Sequence, residues 1–517
     1  MAQTDLFFVN VQPTASDRTF KGWVDKTDRR KIRVTVMHDY LRSTQKEFLA
    51  KPNRPRKLDM KTQMARFRIG TKARRVGNQF VGSKPVKKSS APRRQKPSEK
   101  NTEPDGRILA LDRLGGMDPF NIIPIDVSNV ATQTLLEYYF KSYWSNALAV
   151  NPNGGWTRLA LRDAAILHAK LSLVAVHKAD QLGESLPPAY LIHRGQALHL
   201  LSERLAEGGD AFTDQDIGGF VILSSSDYHS GWPDEILANH ARGIKALVDR
   251  RGGIDAPDLS MSVSRVIAWL DLMQAAFLES PILLGKSKYA VEPDPSDLGS
   301  LTGHTPTVSP DQRVATQGFP PYVKNIIRQL RVLSDIKHTL SIDRKPTVRE
   351  IFSNMLWKTE YDIIELSDEI AYHRNGDDTM FECQATISML RDAFLVYSYI
   401  VFRDQNSTAL FKRLVKRLQR YTTEVLGSMR HLGGLSSAEL LLLVWVCFTG
   451  WKATRLARIA GGWYTDRARS LVHTLAMIAA TTIKKRVSSI VWDKENDDKL
   501  FGNFWAESQA AETSNYV

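Results

Sequence analysis

Cysteine is nearly absent from this chain: Cys383 and Cys447 are the only two in 517 residues. So few thiols argue against a disulfide framework, exclude a cysteine-rich zinc module and fit a reducing compartment. Long hydrophobic runs are scarce too. The longest, Leu440 to Phe448, falls well short of the roughly 20 residues a membrane helix needs. The opening stretch, Met1 to Asn10, has no basic region ahead of its short apolar run, so it does not read as a secretory signal. A hydrophobic fraction of 43% and a mean hydropathy of −0.28 are ordinary for a globular protein. The expectation is a soluble, intracellular protein with no membrane partner, long enough for two or three domains' worth of core.

Catalytic signatures are missing as well. None of the 12 histidines belongs to a His-Glu-x-x-His pair. His193 and His199 lie six apart, the wrong spacing for one helical face, and His168 and His177 lie nine apart on a mostly apolar stretch. They read as satisfied helix histidines rather than metal ligands. Gly285-Lys286-Ser287 resembles the end of a phosphate-binding loop, but Ser280 stands where that motif needs its first glycine and no strand leads into it. No Gly-x-Ser-x-Gly elbow occurs. Cys383 and Cys447 sit in apolar helical sequence, unlike reactive thiols. Asp377-Asp378 and Asp497-Asp498 are isolated pairs, too few for a magnesium–diphosphate site in a helical enzyme. The expectation is no catalytic residue, no metal and no cofactor.

What the chain does have is a charge imbalance. Residues 1–100 carry 26 Lys and Arg against 8 Asp and Glu, about +18 of a whole-chain +14, so residues 101–517 sum to about −4. Residues 51–100 alone hold 17 basic residues, with only Asp59 and Glu99 opposing them, and prolines and serines punctuate them. Such a segment cannot bury enough apolar surface to offset its conformational entropy and is expected to be disordered. Lys84, Lys87 and Lys88, then Arg93, Arg94 and Lys96, form two basic clusters with a short spacer, the pattern a nuclear-import receptor reads. Arg66, Arg68, Lys72, Arg74 and Arg75 form a second dense patch. Both could neutralise phosphates and give salt-sensitive, sequence-independent affinity. Residues 28–47, with Asp28 as N-cap, could form a basic helix presenting Arg29, Arg30, Lys31, Arg33 and Arg42 to nucleic acid.

From about Leu109 the pattern is helical. Ala160, Ala164, Leu167, Leu171 and Val174 mark a buried helix. Leu237, Ala241, Ile244 and Val248 mark another, with Arg250 and Arg251 in its last turn and Gly252-Gly253 as its stop. Val263, Val266, Leu270, Met273 and Phe277 mark a third, ended by Pro281. Phe220 to Leu223 fits part of a short helix. Residues 285–320 are rich in Pro, Ser, Gly and Asp and read as a long surface loop between two helical halves. Helices are expected again near 322–340, 346–372, 380–403, 407–430, 437–459 and 463–485. Residues 491–517 are acidic and aromatic, and read either as an interaction tail or as a docked terminal helix.

Several segments resemble a filamentous-fungal family, the fungal-specific transcription-factor-like proteins. Their helical regulatory region lies downstream of six-cysteine binuclear zinc clusters in the wider family. Phe8-Val-Asn10 followed by Arg30 to Tyr40 resembles the opening of members lacking the zinc cluster. Gly115 to Phe120, Ile123-Pro-Ile125 and Leu136-Glu-Tyr-Tyr139 resemble the approach to the helical body. His240 to Asp255 is the nearest match, followed by Ile267-Ala-Trp-Leu-Asp271 with Pro281, and later by Leu443-Val-Trp445 and Trp463-Tyr464. The resemblance covers most of the chain and rests on the order of these motifs. It carries over no zinc ligand and no catalytic residue, since no cysteine precedes Cys383.

The expected fold is all-α: antiparallel helices stacked in two halves behind a disordered basic arm. The expected divisions are an N-terminal segment 1–50, a basic linker 51–108, a first helical half 109–284, the loop 285–320, a second half 321–490 and the tail 491–517. The expected role is a nuclear transcription-regulator-like protein, or alternatively a nuclear scaffold or co-regulator with no sequence-specific DNA contact. Its partners would be an import receptor, nucleic acid bound chiefly without sequence preference, and a regulator, co-regulator, small molecule or second copy of the chain (a homo-oligomer) bound by the body.

Overall fold

The computed structural model describes residues 123–510, apart from 144–146, 153, 208–212, 295, 298, 300–308, 343–344, 367–379, 429–434 and 476–478. The basic arm, the expected helix at 28–47 and the linker at 51–108 therefore lie outside the described residues, as does the last stretch of the tail.

Among the described residues the regular structure is helical and contains no strand. The first half runs α1 (Val130–Lys141), α2 (Ala147–Val150), α3 (Gly155–Ala160), α4 (Ala164–Leu182), α5 (Pro188–Glu207), α6 (Asp214–His229), α7 (Asp234–Arg250) and α8 (Met261–Leu278). A short α9 (Pro310–Ala315) lies within the expected loop. The second half runs α10 (Pro321–Ile342), α11 (Pro346–Ile364), α12 (Gln384–Val401), α13 (Thr408–Ser428), α14 (Ser437–Ala457), α15 (Gly462–Thr474), α16 (Ala480–Ser488) and α17 (Lys494–Ala510).

Local chemistry sets the helix ends. The Asp163 side chain accepts the Ile166 amide at the start of α4, and Gly183 in the left-handed region closes that helix. Thr213 with Asp216 and Ser436 with Glu439 form capping boxes at α6 and α14. Gly252 and Gly253, at φ 95° and 94°, terminate α7, with the Gly253 amide returning to the Val248 carbonyl. The sequence expectations of helices through 237–248 and 263–277 match α7 and α8.

Three expectations change. Ala160 closes α3, and a turn at 161–163 with Asp163 as N-cap separates it from α4, so the stripe from Ala160 to Val174 is not one helix. The stretch 463–485 is two helices, α15 and α16, rather than one. Its apolar positions (Leu471, Val472, Ile483 and Val487, all buried) serve both helices, so the break leaves no mark on periodicity. Phe220 to Leu223 belong to the 16-residue α6, which is buried on nearly every side. A helix surrounded by others has no polar face, and its pattern cannot reveal its length.

Sequential helices pack as antiparallel neighbours: α4 on α5, α10 on α11, α12 on α13, α13 on α14 and α14 on α15. One hydrophobic cluster spans both halves. It is continuous because α8 packs on α11 and α13, and α2 packs on α11. By length and composition α8 and α14 could each cross a bilayer, with mean hydropathies of 1.2 and 1.4, yet 83% and 89% of these stretches are buried inside the body. They are core helices. The acidic-aromatic segment is a docked helix through Ala510: Phe501 and Phe504 of α17 are buried against Phe448, with ring centroids at 5.4 and 5.2 Å. These aromatics supply a large apolar area on one side of an otherwise acidic helix.

Candidate functional site

The residues singled out in the sequence for import and phosphate contact lie outside the described residues. These are Lys84, Lys87, Lys88, Arg93, Arg94 and Lys96, and Arg29, Arg30, Lys31, Arg33, Arg42, Arg66, Arg68, Lys72, Arg74 and Arg75. Within the body, polar chemistry is concentrated at buried helix crossings.

Asp227, near the end of the buried helix α6, is fully enclosed. Arg194 of α5 grips it in bidentate fashion, Nε to Oδ1 at 2.8 Å and Nη2 to Oδ2 at 3.0 Å. Tyr190 donates to Oδ1 at 3.3 Å, and His240 Nδ1 lies 3.2 Å from Oδ2. The Arg194 guanidinium stacks over Trp232 at 4.5 Å. Burial pushes the Asp227 carboxyl up, but Arg194 and His240 outweigh it and hold the group below its ordinary range. His240, the first residue of the longest family-like motif, is thus a structural partner of this carboxylate.

The second half repeats the device with different residues. Glu360 of α11 accepts Arg403 Nε at 2.9 and 3.1 Å, its Nη2 as well, and Ser398 Oγ at 2.7 Å. The guanidinium lies between Trp269 and Trp357, at 4.1 and 4.3 Å. Lys452 Nζ meets Asp497 at 2.6 Å where α14 crosses α17. This uses one member of the Asp497-Asp498 pair; Asp498 instead accepts Trp492 Nε1 at 2.9 Å.

A row of arginines on α13 joins the halves. α8 ends at Glu279, with φ 51°, leaving its last carbonyls without helical partners. Arg417 donates to the Ala276 carbonyl at 2.7 Å and clamps Asp392 at 2.6 and 2.9 Å. Arg413 binds Asp234 at 2.6 and 2.8 Å and reaches the Phe277 carbonyl. Glu279 accepts Arg391 at 2.7 Å and Tyr421 at 2.6 Å. Cations at a helix C-terminus are where the helix dipole favours them. The Ile267–Asp271 motif serves the same joint, because Asp271 accepts the Leu283 and Leu284 amides just beyond Pro281 at 2.9 and 2.8 Å.

Beside this row, the turn between α12 and α13 sits on first-half histidines. His177 contacts Tyr138 OH through Nδ1 and Asn406 through Nε2, both at 3.0 Å. His229 Nε2 lies 3.2 Å from Gln405 Oε1, and the Thr408 amide donates to Asp180 at 3.1 Å. His168 and His193 meet Nδ1 to Nδ1 at 2.9 Å, a pairing that sequence spacing does not reveal because it joins α4 to α5. One nitrogen must donate and the other accept, so the pair is stable only when at least one ring is neutral. Burial lowers His193 to about 4, with His168 adding to the effect, and lowers His177 to about 4, with His229 and Lys170 adding to it.

The enclosed carboxylates of Asp227, Glu360, Asp392 and Asp497 are each held by a cation, so none is a free base. Burial pushes the Cys447 thiol up to about 12, far from the thiolate. Gly285-Lys286-Ser287 spans a tied-down turn, with Lys286 paired to Glu365 at 2.5 Å and Ser287 buried. Among the described residues no group of three or more His, Cys, Asp or Glu side chains could hold a metal. The cleft between Ile244, Ile267, Asp271 and Leu284 has room for about one water molecule.

A family model described as the fungal specific transcription factor domain matches residues 135–449, from within α1 to within α14. No curated protein and no solved structure matches the chain.

Proposed function

The chain belongs to the family of the fungal specific transcription factor domain, and from that premise we propose that it acts in the nucleus as a regulator whose helical body is a rigid platform and whose basic arm supplies import and phosphate contact. The family is one of transcription factors, not of enzymes, and the body's neutralised carboxylates are in keeping with that. The single observation that carries the import and phosphate reading is the charge split: about +18 in residues 1–100 against about −4 in the rest. A cationic segment of this density attracts polyanions through counterion release and raises their local concentration.

A second reading is favoured by the cysteine count. Two cysteines cannot build a six-cysteine zinc cluster, and phosphate contact alone positions a protein without specifying a sequence. The chain would then act as a co-regulator or scaffold. Genome-wide chromatin occupancy of the tagged protein, beside the same protein lacking residues 18–100, separates the two. Sharp peaks that share a motif and vanish on deletion are expected of a DNA-reading regulator. Diffuse occupancy that vanishes on deletion is expected of the scaffold. A deleted protein that still enters the nucleus and occupies chromatin unchanged overturns the role of the arm in both.

A further inference from the structure

Beside the row of arginines that ties α13 to α8 runs a second, solvent-facing row of cations on the same helix. Lys412, Lys416 and Arg420 recur at intervals of four along the helix and are exposed. Each interval advances about 6 Å along the axis, so three cations stand in a row about 12 Å long, a little over two turns. No ion pair involves Lys412 or Lys416 among the described residues, while Arg420 lies over the Tyr421 ring at 4.4 Å and makes longer contacts with Glu279 at 3.6 Å and Glu424 at 3.9 Å. This differs from the rest of the helix, where Arg413 and Arg417 are fully engaged. Tyr464 of α15 donates to the Val415 carbonyl at 2.9 Å, which places α15 beside α13. One turn further along α15, Arg467 is also exposed and makes no ion pair among the described residues.

A row of exposed cations, two of them without an ion pair among the described residues, on a body whose net charge is about −4 calls for a reason beyond solubility. A protein partner would dock on an apolar anchor ringed by polar groups. Around this line the outward positions are Gln419, Thr423 and Glu424, and α13 has no exposed large hydrophobic residue. A straight row of point charges without an apolar centre suits a regularly spaced polyanion instead. We infer that the outward face of α13, with Lys412, Lys416 and Arg420 as its contacts, is a second surface for the phosphate backbone of double-stranded DNA. This rests on the reading of the chain as a DNA-associated regulator, and adds that the body itself shares the contact with the arm.

The test is binding of random-sequence duplex DNA to the full chain across a series of salt concentrations. The variants are Lys412→Gln/Lys416→Gln/Arg420→Gln, a charge-keeping Lys412→Arg/Lys416→Arg, and an arm variant with Lys84, Lys87, Lys88, Arg93, Arg94 and Lys96 changed to Gln. Each phosphate contact contributes about 0.9 to the slope of log K against log salt, so the triple variant is expected to lose about 2 to 3 of slope while the arginine variant keeps it. Added to the arm variant, the triple substitution is expected to lower its remaining slope by the same amount, about 2 to 3. A triple variant with wild-type slope overturns the inference, and an arm variant with a reduced slope beside it leaves the arm reading standing. Absence of salt-dependent binding by the unmodified chain overturns both. A stripe that leaves DNA binding unchanged but is needed to bind polyglutamate overturns it in favour of an acidic protein partner. Should the triple variant melt early, Lys412→Gln/Lys416→Gln repeats the measurement at two positions free of ion pairs among the described residues.

Discussion

The two helical halves share one core and one fastening, a buried arginine clamped on a carboxylate beside tryptophan (Arg194 on Asp227, Arg403 on Glu360), but differ in what they add to it. The first adds imidazoles: His168 against His193, His177 between Tyr138 and Asn406, and His240 beside Arg194 on Asp227. In the second, the crossings are closed by permanent cations on carboxylates, Arg403 on Glu360, Arg417 on Asp392 and Lys452 on Asp497, with tryptophans packed around them. A buried polar group must be hydrogen-bonded in either case. Burial keeps His177 and His193 of the first half neutral, while the second half compensates charge with charge. Only the first is open to protonation in mild acid, because an arginine does not titrate in that range.

The largest expected effect is in the second half. Glu360→Gln leaves the Arg403 guanidinium enclosed between two tryptophans without its counter-charge. Breaking one side of a buried pair costs about 3–5 kcal/mol, read as a lower midpoint in urea unfolding. A midpoint unchanged from the parent chain would mean that Trp269 and Trp357 alone hold the guanidinium.

The next effect separates the halves by pH. His177, neutral in the folded chain down to about 4, takes up its proton near 6.5 when unfolded. The unfolded state therefore binds more protons between these values. The histidine's contribution is complete above about 6.5 and is lost as the pH falls towards 4, on the order of 3 kcal/mol in all. Melting temperature measured across this window should fall, and His177→Gln should flatten the fall relative to its own neutral-pH value. An unaltered pH profile in that variant would remove His177 from the account.

The smallest effect tests packing at the α14–α15 crossing. Gly450 lies inside α14, where alanine would ordinarily gain about 1 kcal/mol of helix propensity. Here a Cβ would stand 2.2 Å from the Tyr464 ring. Gly450→Ala is therefore expected to cost about 1–3 kcal/mol of overpacking and to disturb the Tyr464 contact with Val415. Calorimetry showing a stabilised variant would mean that the two helices can part without loss.

Much of the fold is legible in the residues. The stripes of α7 and α8 and the double-glycine stop are local features, and local features show in a single sequence. The family-like motifs, in their order along the chain, fall largely within the residues 135–449 that the family model matches. The roles of those motifs were not legible. Nothing near His240 hints that its partner is Asp227, and Asp271 gives no sign that it fastens the turn after Pro281. Each of these is a contact between residues that hydropathy does not relate, made by groups that look merely polar in sequence.

By itself, then, the sequence determined an all-α body, the segregation of positive charge into residues 1–100, and the lack of cysteine for a zinc cluster. These follow from composition and from periodicities of a few residues, which hold whatever the chain does at longer range. Only the tertiary structure decided which charges are enclosed and which stand free. Along α13, arginines and lysines alternate within one basic run, and the same helix turns Arg413 and Arg417 inward to the end of α8 while leaving Lys412 and Lys416 in solvent. The position of α8 beside that run makes the difference, because a guanidinium can be buried only where carbonyls and carboxylates already wait for it.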